Sequence, residues 1–110
     1  MLVIDKMKEE TPMGNYVVFF GYTDQGIRDV KDSPGRVKAA KKIFQDSGAK
    51  IKSFYLLMGM ERYDTMFLVE APSDESMAKA SLRISSLGNV RTHSHRIFTE
   101  DEFHKIVAGL

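Results

Sequence analysis

Cysteine is absent from the 110-residue chain. No disulfide framework, thiolate metal centre or cysteine nucleophile is therefore available, and the absence fits a reducing compartment. An excess of either charge is missing too: 16 lysines and arginines stand against 15 acids, a formal net charge of +1. The bases are dispersed among the acids and do not form the strongly basic face that nucleic-acid binding uses. No apolar run reaches the roughly 18 residues of a membrane span. The opening "MLVIDKMKEETP" holds too short an apolar segment for a signal peptide. We expect a cytoplasmic protein with neither a nucleic-acid nor a membrane partner. No G-x-G-x-x-G, Walker-type sequence or nucleophile elbow occurs, so no cofactor is expected.

What remains is an ordinary globular balance, 43% hydrophobic and 28% charged, of a length that suits one domain with one core. Residues 1–14 read as a tail, with an edge strand at 2–4 as the alternative, and 15–110 as the domain. "NYVVFFGY" (15–22) is β-branched and aromatic, a strand apolar on both faces. "SPGRVKAAKKIFQDSG" (33–48) is a helix, with Ser33 as cap, Pro34 in the first turn and Gly48 as stop. Two strands follow, at 50–59 and 64–71, joined by the short connection "MERY". "SDESMAKASLRISSLG" (73–88) is a second helix, capped by Ser73 and ended by Gly88. "NVRTHSHRIF" (89–98) is the last strand. Thr99 and Glu102 then form a capping box, with Phe98 and Phe103 as its staple, for a short final helix.

The order β-α-β-β-α-β predicts an α+β, ferredoxin-like domain. It has a four-stranded antiparallel sheet, two helices on one face and a short C-terminal helix. The uncovered face cannot be polar, because 15–22 is apolar both ways and "FYLLM" adds to it. An open apolar face of that size marks an interface, which predicts self-association as a homodimer or higher oligomer.

The stretches "YTDQGIRDVKDSPGR", "RYD", "LVEAPSDE" and "SLGNVRT…FTEDEF" together resemble the GYD domain family of small bacterial and archaeal proteins. The likeness runs from about Asn15 to the C-terminus. The family's Gly-Tyr-Asp triplet stands here as Arg62-Tyr63-Asp64, without its glycine. The resemblance implies a dimeric α/β-barrel type of architecture and supplies no reaction.

Four groups carry candidate chemistry. Arg91, His93 and His95 alternate on one strand and share a face. The two imidazoles are weak metal candidates that need a third ligand, and they also suit a pH-sensitive contact. Tyr63 and Asp64 open the third strand: Asp64 as a general base beside a positioned tyrosine, or as a turn residue bonding local N–H groups. Glu70 shares that strand, but six residues span about 20 Å, too far for a carboxylate pair with Asp64. Within 22–36, Gln25, Arg28, Lys31 and Arg36 offer donors to an anion, while Asp24, Asp29 and Asp32 offset them. The plainer reading has Thr23 capping a helical turn whose Ile27 and Val30 face inward, as a lid over one end of the sheet.

These readings combine into a domain that binds a small polar or anionic molecule between the sheet and the 22–36 segment. Gln25, Arg28, Tyr55, Tyr63 and Asp64 would line the pocket. Two alternatives stay open. One is a cofactor-free enzyme doing proton transfer or oxygen chemistry in the same pocket, with Asp64 or His93 as base. The other is an assembly module without a ligand.

Overall fold

The computed structural model describes residues 13–110. The expected tail and its alternative strand fall almost wholly on 1–12, outside the described residues. The elements are β1 (Gly14–Tyr22), α1 (Asp24–Arg28), a 3₁₀ turn (Val30–Asp32), α2 (Ser33–Asp46), β2 (Lys50–Leu56), β3 (Thr65–Ala71), α3 (Asp74–Ser86), β4 (Val90–Ile97) and α4 (Glu100–Ala108). The four strands lie in the order β2-β3-β1-β4, every neighbour antiparallel. This is the ferredoxin-like arrangement expected from the sequence.

Alternation along β1 separates two environments. Tyr16, Val18 and Phe20 point into the core with Phe67 and Val69 of β3, Phe44 of α2, and Met77, Ala80 and Ile84 of α3. Phe67 sits at the centre, its ring edge-on to those of Phe20, Phe44 and Phe54 at 5.0, 5.7 and 5.8 Å between centroids. Val17 and Phe19 point the other way, opposite Leu68 and Met66 on β3 and His95 and His93 on β4. The sheet is thus apolar on both sides, and among the described residues no helix packs on this second side.

Helix ends follow the expected signals with one exception. Ser73 Oγ accepts the Ser76 N–H at 3.1 Å, and the complete capping box of Thr99 and Glu102 opens α4. Ser33, however, is the first residue of α2 and not its cap. The 3₁₀ turn runs directly into α2, so Asp32 is already helical and no side chain caps that end. Ser33 Oγ instead meets the Tyr22 hydroxyl at 2.6 Å. β2 ends three residues earlier than its composition suggests, because the chain turns at Gly59 (φ 78°) and Arg62 (φ 73°). The connection to β3 is correspondingly longer than "MERY", and the Leu57 N–H closes it on the Asp64 carbonyl at 2.7 Å.

Candidate functional site: a pocket under the 22–36 bracket

The long segment after β1 is an ordered bracket. Thr23 Oγ1 accepts the Gly26 N–H (3.1 Å) and donates to the Gly88 carbonyl (2.6 Å), while the Thr23 N–H donates to the Asn89 carbonyl (3.1 Å). Gln25 Nε2 donates to Asn89 Oδ1 at 3.1 Å. Arg36 reaches back from α2 to the carbonyls of Gly26 (3.1 Å) and Asp29 (2.6 Å). The side that turns inward is not the one the apolar residues suggest. Ile27 and Val30 remain 50% and 43% exposed, and Gly26 is the buried residue of α1. A Cβ at Gly26 would stand 1.9 Å from the Asn89 carbonyl oxygen. Only the smallest residue lets α1 lie against that turn, which leaves its apolar side chains facing outward.

Beneath this bracket a cavity of about 100 Å³ opens between the sheet and α2. Phe20, Phe54, Phe67, Val37, Ala40 and Ile84 form its apolar wall, and Tyr22, Ser33, Arg36 and Asn89 supply polar groups. Of these four, Arg36 is among the anion donors expected from the sequence, whereas Tyr22, Ser33 and Asn89 are not. The clue was available: Ser33, Arg36, Val37, Ala40 and Ile43 recur at helical spacing, so they share one side of α2.

The residues singled out from the sequence are dispersed over three places. Gln25 belongs to the bracket. Arg28 lies in the last turn of α1 and makes no side-chain hydrogen bond or ion pair among the described residues. Asp64 fastens the end of the sheet: its carboxylate accepts the Tyr22 N–H at 2.9 Å and its own N–H donates to the Phe20 carbonyl at 2.8 Å. Tyr63 turns to the open face, where its ring stacks on Phe19 at 5.4 Å and its hydroxyl meets His93 Nδ1 at 2.7 Å. His93 and His95 stack at 4.4 Å, and His95 stands edge-on to Phe19 at 5.9 Å. Tyr55 is an exposed residue of edge strand β2, opposite Met66. Tyr63, His93 and His95 are therefore brought together; Gln25 and Asp64 are bonded elsewhere. No group of three His, Asp or Glu side chains able to hold a metal occurs among the described residues.

Burial, with the Asp74 carboxylate at 2.5 Å, raises the Tyr16 phenol. On the open side, the hydrogen-bonded Lys52 ammonium at 2.9 Å holds the Glu70 carboxyl below its usual range. Gly21 packs against the turn that carries the triplet, since a Cβ there would lie 2.2 Å from the Arg62 carbonyl oxygen. Arg62 itself takes the left-handed conformation that favours glycine. The family's glycine would fall on this residue.

Comparison with known proteins agrees with the fold. A relative from Thermus thermophilus, the glutamine synthetase and cystathionine beta-lyase binding protein, is 30% identical over 81 residues, 73% of this chain and 83% of that one. Among solved structures, the Mycobacterium tuberculosis leucine response regulatory protein LrpA superposes with a TM-score of 0.56 at 23% identity, over 78% of this chain and 51% of that one. A second structure gives a TM-score of 0.59 at 22% identity, over 84% and 55%. The chain spans about half the length of these structures, and the likeness to them is one of fold. No helix of the described residues is long and apolar enough to cross a membrane. The GYD domain model matches residues 16–107, and the chain belongs to the GYD domain family.

Proposed function

We propose that the protein is a homo-oligomeric binding domain whose pocket under the 22–36 bracket takes a small organic molecule with an apolar body and a polar or anionic head. The observation that carries this reading is the pocket's asymmetry: a mainly aromatic and aliphatic wall, with Tyr22, Ser33, Arg36 and Asn89 among its lining residues. Sites for small molecules share that make-up, mostly apolar with a few placed polar groups. A cavity near 100 Å³ is smaller than the ~150 Å³ that holds benzene in an engineered protein core. The favoured body is therefore a short aliphatic chain.

Thermal unfolding in the presence of short-chain carboxylates, alcohols and amines tests this. A ligand at 100 times its Kd stabilises the fold by about 2.7 kcal/mol. Carboxylates should raise the Tm most, and Ala40→Phe, which fills the cavity, should abolish the rise while the protein still folds. A flat response to the whole panel at millimolar concentration would sink the reading.

One observation favours a second reading, binding to another protein. The β2–β3 hairpin carries Leu56, Met58 and Met60 exposed at its tip, and adaptable methionine-rich surfaces suit protein partners. The relative named above binds enzymes by its name, which makes glutamine synthetase and cystathionine beta-lyase the partners to try. Co-sedimentation of either with the wild-type chain, lost on Met58→Lys, is the expected result; no complex with either argues against this role.

A further inference from the structure

Among the described residues, helix α4 is well built yet buries none of its own side chains. Its capping box is complete, Arg96 ties Glu102 at 3.3 Å, and the Arg96 guanidinium lies 4.5 Å over the Phe98 ring. Yet none of its residues is buried, and Phe103, Ile106, Val107 and Leu110 form an exposed apolar stripe. A nine-residue helix is shorter than the ~12–15 residues at which even good isolated helices become marginal in water, so packing has to supply its stability. The chain's radius of gyration is 16.0 Å, against about 13 Å for a compact domain of this size. The flat shape, 18 Å in its shortest extent, and an element at its margin both enlarge the radius.

The same chain carries an apolar sheet face on which no helix of the described residues packs, with Phe19, Met66 and Leu68 half-buried beside the buried Val17. We propose that α4 is a dimerisation arm, whose Phe103–Ile106–Val107–Leu110 stripe docks at the open sheet of a second copy while the second copy's α4 does the same in return. The inference rests on the oligomeric part of the reading above.

Two observations favour a second copy as the occupant. The first is area. Four strands of about seven residues offer a footprint of roughly 19 by 23 Å, near 440 Å² in projection. A standard interface buries ~800 Å² on each partner. Side-chain relief narrows that gap, and an arm about 13 Å long and ~10 Å wide narrows it further, by about 130 Å² in projection. The second is charge. Glu100 borders the apolar stripe on α4, whereas the open face of β4 presents Arg91, His93 and His95, so acid and base meet when the arms are exchanged. The exchange is reciprocal and closes on itself, as a two-fold dimer must.

Light scattering and sedimentation of the full chain test the arm. The wild type should be a dimer at micromolar concentration. Ile106→Asp should raise the dimer dissociation constant at least 100-fold while far-UV circular dichroism loses no more than the share of α4, and Asp101→Lys, on the opposite side of α4, should leave the constant unchanged. Because the chain has no cysteine, mixing Ile106→Cys with Leu68→Cys provides a second measurement. A short thiol-reactive linker should join unlike copies. A dimer that Leu68→Asp splits but Ile106→Asp leaves intact, with no cross-link, overturns the arm and leaves the oligomer standing. A wild-type monomer overturns both.

Discussion

Val18 and Phe19 are adjacent in β1, both apolar, and have opposite surroundings. Val18 is fully buried beneath α2 and α3, beside a Phe67 ring held by three other phenylalanines. Phe19 looks away from the helices, onto Tyr63 and His95. On the helix side Phe20, Phe44 and Phe54 pack edge-on around Phe67, and the buried Tyr16 phenol is tied to Asp74, as suits a permanent core. On the open side the aromatics alternate with imidazoles and a phenol that meets one of them, as suits a surface that a partner covers. Hydrophobicity alone does not distinguish the two; the company each ring keeps does.

Phe67→Ala against Phe19→Ser should break the contrast most sharply. The first removes the centre of the core and should cost about 3–5 kcal/mol of folding stability. The second should cost about 1 kcal/mol in dilute monomer while abolishing self-association. Equal losses in denaturant unfolding would mean that the two sides are not distinct.

Gly26→Ala comes next. Its new methyl has to displace the Asn89 backbone, and overpacking of this kind costs about 2–3 kcal/mol. The loss should appear as faster hydrogen exchange in 23–36 and around 88–90, with the open face unaffected.

Arg62→Gly runs in the opposite direction. Relieving a left-handed arginine should add about 1 kcal/mol to stability, readable as a higher chemical midpoint.

Acidification should be the mildest probe. The Thr99 N–H, with Arg96 adding, holds the Glu102 carboxyl below the usual range. A lowered folded-state pKa stabilises α4 at pH above the ordinary glutamate value, and that stabilisation disappears as pH falls through the lowered one. Below the ordinary carboxylate range, amide exchange in α4 should quicken before that of β1 or α3.

Much of the fold was legible because periodicity and caps are local. The alternation in "NYVVFFGY", the Ser73 cap and the Thr99–Glu102 box each specify their own element. Ser33 and the end of β2 misled for a shared reason. Each depends on what the neighbouring turn does: a 3₁₀ turn that already satisfies α2, and an arginine taking a glycine's conformation. The site was less legible because its geometry is tertiary. Nothing near Gly26 in the sequence announces that a carbonyl 63 positions later occupies the space of its missing side chain. That contact decides which side of the segment turns inward. Asp64 and Tyr63 are neighbours in the turn just before β3, yet one reaches the sheet end and the other the open face.

The clasp between Thr23 and the Gly88–Asn89 turn bears on the order of folding. Its donors and acceptors are 65 residues apart in sequence, and closing so long a loop precedes any gain from the contact. The bracket therefore cannot settle until α3 has formed and the chain has turned into β4. On a nascent chain the lining contributed by Tyr22, Ser33 and Asn89 would therefore be fixed only as β4 completes the sheet.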